Sequence, residues 1–250
     1  MKKIGVIPSR LGSSRLPNKP LLKILGKSML EHVYKRSLLC LELDDLIVAT
    51  CDNEIMDEVK NFGGKAIMTS DSHERCTDRI AEAVQNLKFD IIVNIQGDEP
   101  LVHPDMIQNS IREINLEEGY QSVNNASKIY NFDEFNDPNN VKLVFNQNNE
   151  ALYFSREPIP SIKKNLKTQS YFGYKQVCII SFTKDYLFKF NSYNQTKLEK
   201  IESIDMLRSL ENGDKIKIVE TEHKNWSVDT KDDLEIVEKM MKNDILLGEY

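Results

Sequence analysis

The sequence predicts an α/β fold: a doubly wound, mostly parallel, Rossmann-like sheet carrying a small inserted β-rich subdomain. Residues 4–7, 46–50 and 90–95 are short runs dominated by apolar residues, as expected of strands buried on both faces. Between them, apolar residues recur at three- and four-residue spacing, so strands alternate with amphipathic helices. The loops after residues 7 and 95 carry conspicuous charged groups, and ligands of such sheets sit beyond the carboxyl ends of the strands.

In order, residues 4–7 form the first strand. Residues 28–39 read as a helix, with Ser28 suited to the N-cap and Met29, Leu30, Val33, Tyr34 and Leu38 at helical spacing. Residues 46–50 form a strand, Asn53 opens a helix running to Val59, Gly63-Gly64 ends it, and residues 66–68 are a short strand. Residues 78–87 read as a helix, 90–95 as the most deeply buried strand and 105–116 as a helix. The texture then changes. Residues 119–149 are polar and rich in Asn; only 141–145 reads clearly as a strand, with 152–155 its hairpin partner across the turn at 146–149.

Lys163, Lys164 and Lys167 read as an exposed loop. Residues 196–212 read as one helix entered through Thr196, with Glu199 at the capping-box position and Gly213 as the stop. Residues 215–219 are a further strand, and Thr230 caps a last helix at 232–241. No Gly/Ser-rich linker, repeat or low-complexity tract interrupts the chain. Residues 1–250 are therefore read as a single domain, with roughly residues 119–190 as a subdomain within it.

With 250 residues, 40% of them hydrophobic, the chain can bury one large α/β core. A net charge of −6 and a pI near 5.4 argue against a nucleic-acid or anionic-membrane partner, which would call for a basic face. A local cationic loop in an acidic protein instead suggests a small anionic ligand. No apolar run approaches the ~20 residues that span a bilayer, and the chain starts in a strand without a targeting segment, so a cytoplasmic location is expected. Cys40, Cys51, Cys76 and Cys178 are scattered, with neither CxxC pairs nor His at ligand spacing, so reduced thiols are expected.

The first strand breaks into Pro8-Ser-Arg-Leu-Gly-Ser-Ser-Arg-Leu-Pro-Asn-Lys-Pro-Leu21. Ser9, Gly12, Ser13 and Ser14 keep the backbone slim enough for its N–H groups to approach phosphate, while Arg10, Arg15 and Lys19 supply positive charge. The loop fits a triphosphate cradle and, on composition alone, equally a basic surface loop that binds nothing. It is neither a Walker loop nor a GxGxxG turn. Gln96-Gly-Asp-Glu-Pro100 follows the strand at 90–95. A carboxylate there, Asp98, can hold Mg²⁺, although Gly97-Asp98 reads equally as a plain turn. Glu99 points the other way in an extended segment. Arg156, ahead of Pro158 and Pro160, suits bidentate carboxylate binding or a solvated position alike.

The loop at residues 8–21 resembles the signature loop of the sugar-acid cytidylyltransferases, specifically the 3-deoxy-manno-octulosonate (Kdo) group. The resemblance continues through Val48-Ala-Thr50, Gly63-Gly64, Met68-Thr-Ser70, Thr77-Asp-Arg79, Gln96-Gly-Asp-Glu-Pro-Leu101, Val141-Lys142, Ala151-Leu-Tyr-Phe-Ser-Arg-Glu-Pro-Ile-Pro160 and Val228-Asp-Thr230. It implies a nucleotidyltransferase that attaches CMP from CTP to a 3-deoxy-2-ulosonic acid with release of pyrophosphate, for bacterial surface polysaccharide synthesis, and that works as a homodimer. It implies Mg²⁺ on Asp98 and Asp229, phosphate contacts from Arg10 and Lys19, and nucleotide contacts from Ser9, Gly12, Ser13 and Gln96. Arg79 and Gln96 would line the pocket for the sugar acid and nucleotide, with Arg156 and Glu202 also on the acceptor. By themselves, Asp229 reads equally as a helix cap and Glu202 as part of a charged helix face.

Two positions depart from the family pattern. Gln176 stands where the family's substrate-contacting His usually stands, and Cys76 where a small residue such as Gly is usual. Gln can donate and accept hydrogen bonds but carries no charge, which keeps a different acceptor open, either another deoxy sugar acid or a phosphonate. Cys76 reads as pocket wall. A UDP- or GDP-sugar pyrophosphorylase shares the fold but fits the two loops less well. A nucleotide-binding regulator is disfavoured because the carboxylates and cations of the site are all present.

Overall fold

The computed structural model describes residues 1–12, 16–162 and 170–250. They form two compact units, Met1–Gln108 with Lys224–Tyr250, and Asn109–His223. The fold is α/β, with helices flanking sheets in which parallel pairing predominates in the first unit.

The first unit begins with β1 (Lys3–Ser9), a small hairpin of β2 (Lys23–Ile24) and β3 (Lys27–Ser28), and α1 (Met29–Leu38). Ser28 caps α1 as expected, its hydroxyl accepting the Glu31 N–H at 3.2 Å. Then come β4 (Asp45–Thr50), α2 (Asn53–Asn61), β5 (Ala66–Met68), α3 (Cys76–Val84), β6 (Ile91–Ile95) and α4 (Pro104–Arg112), within which the first unit ends at Gln108. The strands lie in the order β6-β1-β4-β5, all parallel, with β1 paired to both β4 and β6. Every residue of β6 and nearly all of β1 and β4 is buried, as two-sided coverage requires. Helix α4 ends before the expected residue 116, because Asn115 and Tyr120 exchange backbone bonds around a turn at Gly119, whose φ is +82°.

The second unit contains β7 (Ser122–Ile129), α5 (Phe132–Asn136), β8 (Lys142–Phe145), β9 (Ala151–Ser155), β10 (Gly173–Thr183), α6 (Lys184–Ser192), α7 (Lys197–Glu202), α8 (Leu207–Glu211) and β11 (Lys217–Thr221). The expected β8–β9 hairpin forms, and β10 runs antiparallel to β7 and β8. Strand β7 corrects the sequence reading. Ser-Val-Asn-Asn-Ala-Ser-Lys-Ile lacks an apolar run, yet almost all of it is buried. Asn124 and Asn125 lie opposite an irregularity in β10, and their amides donate to the Val177 and Ile179 carbonyls at 3.1 and 3.0 Å. Buried carbonyls need partners, and here Asn side chains supply them.

The single helix expected at 196–212 is two helices. Ser203 sits between them with φ +54°, and the Arg156 guanidinium draws the Glu202 and Ser203 carbonyls outward at 2.7 and 3.3 Å. The chain returns to the first unit as α9 (Lys231–Met241), capped at Thr230 as expected. Lys163, Lys164 and Lys167 lie outside the described residues, as do Ser13, Ser14 and Arg15. Among the described residues no helix is long and apolar enough to cross a membrane.

Candidate active site

A cavity of about 350 Å³ opens at the carboxyl ends of β1 and β6, within the ~300–1,000 Å³ range of ligand pockets. Its walls come from three stretches of chain and from α3, and an apolar cluster holds the three stretches together. Leu16 lies just before Lys19, Leu101 just after Asp98, and Val228 next to Asp229. All three are buried in one cluster with Ile24, Met29, Val237 and Met241. Burying a Leu or Val side chain stabilises by roughly 1.5–3 kcal/mol, so the same packing that stabilises α9 also brings the charged neighbours together. The Val228 N–H donates to the Asp98 carbonyl at 2.9 Å.

Lys19 starts a short 3-10 helix, Lys19–Leu21, after Asn18 in the left-handed region at φ 55°. Its ammonium donates to Asp98 Oδ2 at 2.6 Å and Asp229 Oδ1 at 3.1 Å. Burial by itself lowers the Lys19 pKa, but attraction and hydrogen bonding to Asp98, then to Asp229, outweigh it, and the net shift is upward. The ammonium therefore tests the fit of a metal to this place. Two carboxylates from distant segments already share one cation, and an all-oxygen donor set suits a hard divalent ion such as Mg²⁺. Glu99 does not join them; it is buried, and its Oε1 accepts from Ser227 Oγ at 3.3 Å.

Other expected groups line the same cavity: Ser9, Arg10 and Gly12 after β1, Gln96 after β6, and Arg79 and Cys76 on α3. Ser9 is buried, and its hydroxyl has no hydrogen-bond partner among the described residues. Arg79 is 3% exposed. Its Nη1 donates to Thr69 Oγ1 at 2.5 Å and to the Ser70 carbonyl at 3.1 Å, while its buried Nη2 has no partner among the described residues. The guanidinium is thus held on one side, while its other amino group is buried without a partner among the described residues. Cys76 is pocket wall, as expected, with its sulfur accepting from Gln96 Nε2 at 3.3 Å. At Gly97 a Cβ would stand 3.3 Å from the Pro8 carbonyl, so glycine lets the two loops lie close together.

Several positioning residues were not singled out in the sequence. Asp52, just after β4, accepts the Leu11 N–H at 2.8 Å and pins the first loop. Asp233 accepts the Asp229 and Thr230 N–H groups at 3.1 and 2.9 Å. Thr230-x-x-Asp233 has the spacing of a capping box and could have been found by it. His73 pairs with Glu82, which also accepts the Ser70 N–H at 3.0 Å. Burial would raise the Glu82 carboxyl, but hydrogen bonds from Ser70 first and His73 second leave it below its ordinary value.

The remaining expected residues lie in the second unit. Glu202 accepts from Tyr153 OH, Ser155 Oγ and the Arg156 N–H at 3.3, 3.0 and 2.8 Å. Arg156, the expected carboxylate binder, donates from Nε, Nη1 and Nη2 to the backbone carbonyls of Glu202, Pro138 and Ser203. These bonds brace the α7–α8 break. Lys142 is fully buried and donates to the Asp137, Asn140 and Arg156 carbonyls. Burial pushes its ammonium pKa down. Gln176 donates to Asn124 Oδ1 at 2.6 Å.

The family model for cytidylyltransferases matches residues 4–217, so fold and sequence define a nucleotidyltransferase of the cytidylyltransferase class. The 3-deoxy-manno-octulosonate cytidylyltransferase of Fusobacterium nucleatum subsp. nucleatum is 45% identical over 243 residues, covering 97% of this chain and 98% of that protein. That of Thermodesulfovibrio yellowstonii is 42% identical, covering 96% and 98%. A solved structure of CMP:2-keto-3-deoxy-manno-octonic acid synthetase complexed with CTP matches with a TM-score of 0.88 at 37% identity, covering 97% of this chain and 99% of that one. The chain belongs to the 3-deoxy-manno-octulosonate cytidylyltransferase family.

Proposed function

We propose that the protein transfers CMP from CTP to Kdo or a close 3-deoxy-2-ulosonic acid in a Mg²⁺-dependent reaction. The observation that carries this reading is the convergence of Lys19, Asp98 and Asp229 in a cavity also lined by Arg10, Arg79 and Gln96. The anomeric hydroxyl of the acid attacks the α-phosphorus of CTP, its oxygen forming the new P–O bond and its proton passing to water. The bond from the α-phosphorus to the bridging oxygen breaks, and pyrophosphate leaves. No covalent protein nucleophile is needed; the protein positions the reactants and neutralises charge.

Arg10 and Lys19 balance the phosphate charge, and Ser9 and Gly12 let the backbone approach it. Asp98 and Asp229 would hold the metal. Mg²⁺ so bound would neutralise phosphate oxygens and acidify the attacking hydroxyl. Arg79, held by Thr69 and Ser70, offers its second amino group to an anionic oxygen of nucleotide or acceptor. Gln96 supplies an orienting amide.

A second reading concerns the acceptor. Gln176 is engaged with Asn124 and carries no charge, which favours an acid differing from Kdo in what it presents there. Gln176 and Glu202 are the second-unit groups proposed to bear on that choice. A homodimer in the cytoplasm, supplying bacterial surface polysaccharide synthesis, belongs to the same proposal. The test is pyrophosphate release with Mg²⁺ and each nucleoside triphosphate against Kdo, its 8-amino analogue, sialic-type acids and phosphonates. Release with CTP and Kdo is expected. Release only with another acid keeps the chemistry and changes the acceptor, and no release with CTP bound would overturn the catalytic reading.

A further inference from the structure

We propose that Lys19 is a built-in counter-cation of the metal site. Without nucleotide its ammonium occupies the Asp98–Asp229 pair and keeps out a divalent ion arriving alone, and the ion enters only with the triphosphate that draws Lys19 away. The inference rests on the metal role proposed above for the two aspartates.

The ammonium lies 2.6 Å from Asp98 and 3.1 Å from Asp229, with the lysine side chain only 14% exposed. Asn18, in the left-handed region, and the buried Pro20 set the backbone from which the lysine side chain reaches both carboxylates. Two carboxylates within reach of one amine repel each other unless a cation lies between them. An ammonium and a divalent ion seek the same oxygens, so binding one displaces the other.

The surroundings add to the exclusion. Arg10, Arg75 and Arg79 line the same cavity against a single further carboxylate, Glu74, so a dication arriving alone meets an excess of cations besides the resident ammonium. A metal–triphosphate complex arrives with net negative charge, and its phosphate oxygens offer the displaced ammonium new acceptors. Nucleotide and metal then strengthen each other's binding by the same factor. The device keeps the carboxylates together before the substrate arrives.

The experiment measures binding of Mn²⁺ alone to the full chain, without nucleotide, from the paramagnetic resonance signal of the unbound ion. Lys19→Met is expected to bind Mn²⁺ on the order of 10- to 100-fold more tightly than the unsubstituted chain. Lys19→Arg, which keeps the charge, is expected to stay near the unsubstituted value, and adding Asp98→Asn to Lys19→Met to abolish the gain. Lys19→Gln repeats the test should the Met variant not fold. A Mn²⁺-induced rise in melting temperature, larger in Lys19→Met, provides a second readout. Equal Mn²⁺ affinity with and without the lysine would overturn the proposal. If pyrophosphate release by the unsubstituted chain still depended on Mg²⁺, the counter-cation alone would fall; if release were metal-independent, the metal reading would fall with it.

Discussion

The Val228 backbone N–H donates to the Asp98 carbonyl oxygen at 2.9 Å, which joins the segment after β6 to the segment that starts α9. Asp229 is the next residue. Its place is set by this bond, by the buried Val228 side chain and by Asp233, whose carboxylate accepts from Trp226 Nε1, the Asp229 and Thr230 N–H groups and Thr230 Oγ1.

Asp233→Ala removes all of these acceptors at once. The expected cost is about 1–2 kcal/mol of stability, the upper part of the helix-cap range, with kcat/KM for pyrophosphate release falling because Asp229 loses its anchor. Thermal unfolding and steady-state kinetics on the same preparations check this, and an unchanged kcat/KM would show that the helix start does not set Asp229. Burial works to raise the Asp233 carboxyl, but hydrogen bonds, first from Trp226 and then from Thr230 and the backbone, hold it below its ordinary 3.8. Its stabilisation is therefore fully present above pH 3.8 and lost as pH falls through the lower folded-state value. Acid unfolding should be shallower there in Asp233→Asn.

Arg79→Lys keeps the charge and loses the planar fork. One amine cannot bond Thr69 and Ser70 and also present a second donor to the cavity. A charged hydrogen bond is worth about 1.5–3 kcal/mol, so kcat/KM should fall about 10- to 150-fold. Separate KM values for CTP and for the acid would show which of them Arg79 touches.

Glu199 and Arg208 form a bidentate pair, with Arg208 Nη2 and Nε at 2.6 and 2.9 Å from the two carboxylate oxygens, and both side chains essentially out of water. Removing one partner leaves a buried charge behind. Glu199→Ala should therefore destabilise by about 3–5 kcal/mol. Glu202→Gln, one turn further on, should cost less, about 1–3 kcal/mol, since an amide still has one accepting oxygen for its partners. A denaturant titration of both variants checks the ranking. A rise in KM for the acid confined to Glu202→Gln would mark it as an acceptor-binding group.

His32 gives a pH dependence nearer neutrality. Its ring nitrogens meet the Ile24 carbonyl at 2.7 Å and Tyr250 OH at 2.8 Å. Burial first, and repulsion from Lys27 and Arg36, push its pKa below 6.5. The unfolded chain takes up this proton at a higher pH than the folded chain, so stability declines as pH falls through 6.5 toward the folded value. His32→Gln should flatten that part of the stability profile, and a slope equal to that of the unsubstituted chain would count against the assignment.

The elements that read well from sequence are those whose signal is local. Strand β6 is nearly apolar throughout, Ser28 and Thr230 are caps, and Gly63, with φ +77°, closes α2 as its position suggests. Strand β7 was illegible because its Asn side chains are buried against carbonyls of another strand, and no pattern within residues 122–129 encodes that partner. The break at Ser203 was hidden for the same reason: Arg156, far away in sequence, stabilises it.

The sequence by itself determined the alternating strands and helices of the first unit, the family and the residue types gathered in the two loops, because periodicity, caps and motif spacing are properties of neighbouring residues. Only the tertiary structure decided how those residues are used. Lys19 spans Asp98 and Asp229, Arg79 keeps one buried amino group unpartnered among the described residues, and Arg156 serves the backbone. The physical reason is distance along the chain. A charge takes its role from whatever packing brings within hydrogen-bond reach, and the cluster of Leu16, Leu101 and Val228 does that for this site.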